Sequence, residues 1–357
     1  MAPVSQGRAA AKSQTPIHTP IHTPVHTLFH TLFHTLRCGK TGGMRIETPG
    51  PYREPEFLPW DGRRVPITFV GGYLGAGKTT AINELLATTD RPIAVVVNDV
   101  GSVNIDAHLI RRRSADMIEL TDGCVCCTSI DGMGAALDSI RARETPPDHV
   151  VVELSGVADP HRMVPWGQSA GFRLDGVVIV AAADQLATDT LPRAVRGNIA
   201  SHIAAADLLV LTKIDLVDDA ELRRARHLLE TYAPRVPVVE SDAGRLRPGA
   251  LGRFLALGGR RPEGVASTQS PSMFDLHEVA TVPAPGPVSV AELRRYLEEC
   301  YDASGGRLVR VKAVVDTVDR GLVLVQVVGP RIELDVVPQP ELEAATDLVM
   351  IRVLAPM

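Results

Sequence analysis

The apolar positions of this chain fall into two regimes separated by a stretch rich in Gly, Pro, Ser and Thr. In the first regime they form short continuous runs at 65–70, 93–97, 117–120, 149–154, 176–182, 207–211 and 236–239. A continuous run, in place of strict alternation, is what a strand covered on both faces requires, and helix-compatible stretches separate the runs. Strands alternating with helices predict an α/β fold, a doubly wound and mostly parallel sheet over residues 65–257. Residues 258–272, opening with Gly258-Gly259-Arg260-Arg261-Pro262 and closing near Ser270-Pro271, predict a linker. Beyond it the pattern predicts a strand at 274–282, an amphipathic helix at 290–300 and strands at 308–315, 322–328 and 332–337, the order of a second, smaller α+β domain over 273–357.

Residues 1–64 predict no fold. They carry no acidic residue before Glu47 and pass through Thr48-Pro49-Gly50-Pro51, so they lack the means to build a core. His18, His22, His26, His30 and His34 recur every fourth residue, while Pro20 and Pro24 oppose a helix that would align them. Four readings stay open: a disordered tract that binds metal loosely, an inert low-complexity tail, a tail that is not made because translation starts at Met44, and a targeting segment.

Composition narrows the partners. A net charge of −5 over 357 residues opposes a general nucleic-acid surface, which needs concentrated Lys and Arg. No apolar run reaches membrane-spanning length, and no apolar segment follows the N-terminus as in an export signal. The expected compartment is therefore the cytoplasm, with the five cysteines as thiols; three of them lie within four residues.

Each polar motif follows one of the predicted strands, and in a parallel sheet ligands sit beyond the carboxyl ends of the strands. After the first strand comes Gly72-Tyr73-Leu74-Gly75-Ala76-Gly77-Lys78-Thr79-Thr80, a P-loop between a strand and a helix. Its glycines let successive N–H groups and the helix N-terminus point at a polyphosphate, Lys78 can reach the β- and γ-phosphates, and the Thr79 hydroxyl can hold Mg²⁺. The nucleotide-binding residues expected here are Gly72, Gly75, Ala76, Gly77, Lys78, Thr79 and Thr80. Leu211-Thr212-Lys213-Ile214-Asp215 matches a guanine-reading signature, in which Asp215 accepts from the N1–H and amino group while Thr212 and Lys213 complete the segment. Thr212 stands where Asn is commoner. Glu153-Leu154-Ser155-Gly156 occupies the place of a second metal-facing switch, with Glu153 as a Mg²⁺ ligand beside Thr79 and the Gly156 N–H sensing the γ-phosphate.

Gly123-Cys124-Val125-Cys126-Cys127 is the distinctive feature. Thiolates suit Zn²⁺, Co²⁺ or Cu⁺, and three of them leave a tetrahedral site with one open position, which suits an ion that is handed on.

Together with Asn98-Asp99-Val100-Gly101 and Ala158-Asp159-Pro160, these motifs resemble, in order, those of the CobW family of P-loop GTPases over residues 65 to about 337. Arg310-Val311-Lys312-Ala313 is similar to the family's Arg-x-Lys-Gly, with Ala313 for the glycine. Asp99 and Ser102 stand where the family has two glutamates. The resemblance implies a metal-binding GTPase, a metallochaperone or metal-insertion factor for zinc or cobalt. Lys78, Asp99 and Glu153 would be its catalytic groups, Cys124, Cys126 and Cys127 its transition-metal ligands, and GTP and Mg²⁺ its cofactors. The expected partner is an apo-metalloprotein client, with monomer and homodimer both open. The alternative is a GTPase that gates assembly of a cobalamin or nickel enzyme without carrying metal.

Deleting residues 1–43 is expected to leave nucleotide affinity, hydrolysis and melting temperature unchanged. A large fall in melting temperature would mean that the tail packs on the fold.

Overall fold

The computed structural model describes residues 59–89, 91–97, 117–119, 130–188, 191–242, 245–246, 255–257, 273–286, 288–337 and 347–354. Strands β1 (Val65–Gly71), β2 (Ile93–Val97), β3 (Met117–Glu119), β4 (His149–Glu153), β5 (Phe172–Ala182), β6 (Leu208–Thr212) and β7 (Val238–Asp242) pair side by side in the order β3-β2-β4-β1-β5-β6-β7. Every pair is parallel, and a short antiparallel β8 (Arg245–Leu246) follows β7. The helices described between these strands are α1 (Lys78–Ala87), α2 (Ile130–Arg141), α3 (Pro160–Met163), α4 (Ala183–Ala187), α5 (Arg193–Ala204) and α6 (Asp219–Tyr232).

Both faces of the sheet are covered, which explains the continuous apolar runs. Along β2 and β4, Val95, Val97 and Val151 pack with Ile82 and Leu85 of α1. Their neighbours Ala94, Val96, Val150 and Val152 turn to the opposite face, against Met133, Leu137 and Ile140 of α2. On β5, Val178 and Val180 join the α1 side, while Val177 and Ile179 meet Val195, Ile199 and Ile203 of α5 and Leu229 of α6.

β5 begins at Phe172, four residues earlier than the apolar run indicates. Arg173 and Asp175 interrupt the run, yet Val65, Pro66 and Ile67 pair with Phe172, Arg173 and Leu174. Asp175 is buried because partners surround it: the Leu257 N–H donates to it at 3.1 Å and the Thr68 hydroxyl at 3.5 Å. The expectation of an unfolded segment to residue 64 is also corrected at its end. Trp60, in the 3₁₀ turn Trp60–Gly62, donates its indole N–H to the Arg143 carbonyl at 2.9 Å and packs edge-on against Phe172. A large aromatic with a satisfied N–H overrides a Pro-rich context.

The second domain contains β9 (His277–Pro283), α7 (Val290–Ala303), β10 (Leu308–Thr317), β11 (Gly321–Val328), β12 (Arg331–Val336) and β13 (Asp347–Val353). Its sheet is wholly antiparallel, in the order β12-β11-β10-β13-β9. Ser289 and Glu292 close a capping box at the start of α7. Leu293, Leu297 and Cys300 of that helix cover one sheet face through Val311, Ala313, Val325 and Met350. β13 was not anticipated from the pattern, although it lies between β10 and β9 and holds the sheet together. The expected linker, 258–272, lies outside the described residues. Among the described residues no helix is long and apolar enough to cross a membrane.

Near the amino end of β4, the fully buried His149 places Nε2 2.8 Å from the Thr68 hydroxyl, with Asp175 4.0 Å away. Burial pushes His149 down to about 4 from its ordinary 6.5, against the opposing pull of Asp175. The unfolded chain therefore binds more protons than the folded one between these two values. Stability is expected to be full above pH 6.5 and to fall as pH drops toward 4, by on the order of 2 kcal/mol at pH 5 from this residue alone. Urea unfolding of the parent and of His149→Gln across this range checks it, and an equally steep pH dependence in the variant would refute it.

Candidate nucleotide site

β1 sits between β4 and β5, where the winding of the sheet changes direction, so the loop that leaves its carboxyl end opens into the crevice of an α/β sheet. Gly72 has φ +141°, and a Cβ there would stand 2.2 Å from the Val180 carbonyl oxygen, so only glycine fits. Gly77, left-handed at φ +95°, turns the chain into α1 at Lys78. The loop closes through an Ala76 N–H bond to the Tyr73 carbonyl at 3.1 Å.

Lys78 is buried, and its ammonium donates to the carbonyls of Gly72 at 3.0 Å and Tyr73 at 3.4 Å. One residue on, the Thr79 hydroxyl donates to Glu153 Oε1 at 2.9 Å. Glu153 is only 3% exposed; it ends β4 and pairs with Val70 of β1 and Val97 of β2. A hydroxyl and a buried carboxylate on the flank of a phosphate loop are the hard oxygen donors that Mg²⁺ takes together with substrate phosphates, so these residues fit that ion. Gly156 is pressed against the loop: a Cβ would lie 2.8 Å from the Leu74 nitrogen. Thr80 is exposed on α1.

On the other flank, the Thr212 hydroxyl donates to the Ala76 carbonyl at 2.6 Å, tying the end of β6 directly to the loop. This is what the hydroxyl supplies in place of the commoner Asn. Lys213 is left-handed at φ +57°, and Asp215 is exposed in the 3₁₀ turn Ile214–Leu216. Burial lowers the Lys213 ammonium below its ordinary value; Asp184 and Asp215 of this domain and Glu333 of the second oppose the shift, while Arg331 adds to it.

Several residues that the sequence pattern did not single out complete the surroundings. Gln185 donates to the Leu74 carbonyl at 2.7 Å. His202 lines a small cavity with Gly72, Tyr73 and Gln185, and its Nδ1 finds no hydrogen-bond partner among the described residues. Burial pushes His202 down to about 4, with Asp159 opposing and His161 and Lys78 reinforcing the shift. No short motif marks these positions, since each acts on the loop from a different element.

Asp99, Ser102, Cys124, Cys126 and Cys127 lie outside the described residues. Among the described residues no group of three or more His, Cys, Asp or Glu is placed to hold a metal ion.

A glycine loop between a parallel strand and a helix, with a buried lysine and a Thr–Glu oxygen pair at its edge, defines a P-loop nucleotide-binding protein. Residues 66–240 match the family model described as CobW/HypB/UreG, nucleotide-binding domain. The chain is 31% identical over 238 residues to the zinc chaperone CobW of Sinorhizobium sp, a match covering 58% of this chain and 66% of that protein's length. It is 30% identical over 271 residues to the zinc chaperone YjiA of Escherichia coli K12, covering 70% of this chain and 81% of that protein. With the zinc-regulated GTPase metalloprotein activator 1 of Schizosaccharomyces pombe it shares 29% over 194 residues, 51% of this chain and 47% of that one. The chain belongs to the CobW family of P-loop GTPases.

Lys78→Ala is expected to lower kcat for GTP by roughly 100-fold or more, because the developing charge on the phosphate oxygens loses its nearest cation. Binding is expected to favour GTP over ATP, and Asp215→Ala to erase that preference. Single-turnover hydrolysis and competition with fluorescent GDP check both, and retained turnover in Lys78→Ala would show that the loop has another role.

Proposed function

We propose that this chain hydrolyses GTP to GDP and phosphate and couples that cycle to carrying a transition metal, zinc or cobalt, which Cys124, Cys126 and Cys127 hold and pass to an apo-metalloprotein client in the cytoplasm. The observation that carries the reading is the Thr79 hydroxyl on the buried Glu153 carboxylate at the edge of the loop. That pair links the start of α1 to the end of β4, whose continuation through Gly156 backs onto Leu74. A change at the γ-phosphate thus has a short path into the Glu153-Leu154-Ser155-Gly156 segment. Thr79 and Glu153 would hold Mg²⁺, which would supply charge neutralisation to the polyphosphate.

In this reading Lys78, held in the cradle by the Gly72 and Tyr73 carbonyls, turns to the same oxygens, and the loop N–H groups orient the polyphosphate. Asp215 accepts from the guanine edge, and Asp99 acts in the first switch. The metal half of the proposal draws on the three clustered thiols and on the zinc-chaperone names of two relatives. In sequence the thiols lie between the two switch segments, so their ion can respond to both.

Metal and GTP are then expected to change each other's affinity by a coupling of about 1–3 kcal/mol, or roughly 5- to 150-fold. Competition titrations of Zn²⁺ and Co²⁺ with and without a non-hydrolysable GTP analogue measure it. Cys126→Ser with Cys127→Ser should abolish tight metal binding and the coupling, and leave GTP affinity unchanged. Unaltered Zn²⁺ affinity in that double variant would move the metal elsewhere. A parent whose metal affinity ignores GTP would favour the assembly-gating alternative over a carrier.

A further inference from the structure

The second domain is packed on the P-loop itself. Val309, Ile351 and Val353, on the sheet face away from α7, share one apolar cluster with Tyr73, Leu74 and Val157. Tyr73 Oη lies 2.7 Å from His277 Nε2, and His277 Nδ1 lies 2.6 Å from the Met273 carbonyl. Because a carbonyl only accepts, Nδ1 carries the proton, and Nε2 accepts from the Tyr73 hydroxyl. Val328, at the end of β11, closes over Gly75: a Cβ there would lie 2.4 Å from Val328 Cγ1.

From this point the β11–β12 turn runs toward the base side. Arg331, the first residue of β12, donates to Asp184 Oδ2 at 3.1 Å. Asp184 lies in the first turn of α4, two residues beyond Ala182, and Ala182 pairs with Thr212. That register, with the packing of α4 on the Ile214–Leu216 turn, sets the start of α4 beside the segment that carries Lys213 and Asp215. Residues 328–331 therefore bridge the phosphate loop and the base-reading segment, from a domain that supplies neither.

We propose that Arg331 is a positioning residue for guanine recognition: by holding Asp184 it fixes the place of Lys213, and with it the turn that carries Asp215. The inference rests on the reading of Asp215 as the guanine acceptor. Glu333, two residues along β12, opposes Arg331 in the field felt by the Lys213 ammonium. The Arg331–Asp184 pair is partly exposed, with side chains 32% and 23% accessible, so it contributes little to stability. Its effect is on where the neighbouring side chains stand. Docking of the second domain and nucleotide affinity are then linked reciprocally.

The test uses the full chain and compares GDP with inosine diphosphate, which lacks the 2-amino group that Asp215 reads. Arg331→Ala is expected to weaken GDP roughly tenfold, within the usual range of coupling between sites, and to narrow the GDP to inosine diphosphate ratio. Turnover at saturating GTP should hold, while KM rises. Arg331→Lys, which keeps the charge, should recover part of the ratio. Since Arg331 acts through Asp184, Asp184→Asn with Arg331→Ala should be no worse than Asp184→Asn alone; independent, additive losses would overturn the proposal. So would equal weakening of both nucleotides in Arg331→Ala, the mark of a merely structural contact. Asp215→Ala separates the two levels. If it leaves the ratio intact, the guanine reading itself fails and the inference falls with it; if it collapses the ratio and Arg331→Ala does not, only the inference fails.

Discussion

A phosphate cradle has to present bare backbone, and a loop with few side chains cannot hold its own shape. Its carbonyls turn inward and need donors, because an unpaired buried carbonyl costs about as much as a lost hydrogen bond. Beside the loop's own Ala76 N–H bond to Tyr73, the donors here are side chains: Thr212 of β6 to Ala76, Gln185 of α4 to Leu74, and Lys78 at the start of α1 to Gly72 and Tyr73. Gly156, beyond β4, closes the remaining side against Leu74. These supports from the first domain are positioned by the sheet order, in which β4, β1, β5 and β6 are adjacent.

That dependence explains the pattern of buried charge. Lys78 and Glu153 are each nearly inaccessible, a costly arrangement unless hydrogen bonds replace water. Carbonyls receive the ammonium, and the Thr79 hydroxyl meets the carboxylate. His202, whose charged form is disfavoured first by burial and further by Lys78, adds no second positive charge behind the loop. Thr68, His149 and Asp175 form a second buried polar group toward the amino ends of the strands, joined by hydrogen bonds through the Thr68 hydroxyl.

The second domain is an extension of this support. Its sheet presents two apolar faces: one closes on α7 and the other on Tyr73 and Leu74 of the loop. Among the described residues the Tyr73 hydroxyl meets His277, so the loop's largest side chain has its hydroxyl partner in the other domain. The glycine loop of this P-loop protein thus lies partly on the surface that joins its two domains.

The sequence by itself determined the devices whose requirements are local. The continuous apolar runs marked strands buried on both faces, the glycines of the loop marked backbone free to wrap a polyphosphate, and the amphipathic spacing at 290–300 marked α7. It was less informative where burial is decided by partners: Phe172-Arg173-Leu174-Asp175 reads as a polar interruption until Thr68 and the Leu257 N–H receive the carboxylate. β13 escaped for a related reason, since it follows a Pro- and Glu-rich stretch and acquires its place only between β10 and β9. Tertiary structure alone decided which distant groups meet, such as Thr212 with Ala76 across 136 residues, Arg331 with Asp184 across 147 and His277 with Tyr73 across 204. Those meetings follow from the order of strands in two sheets and from the packing of one sheet on the loop of the other, and a periodicity that spans a few residues carries no information about either.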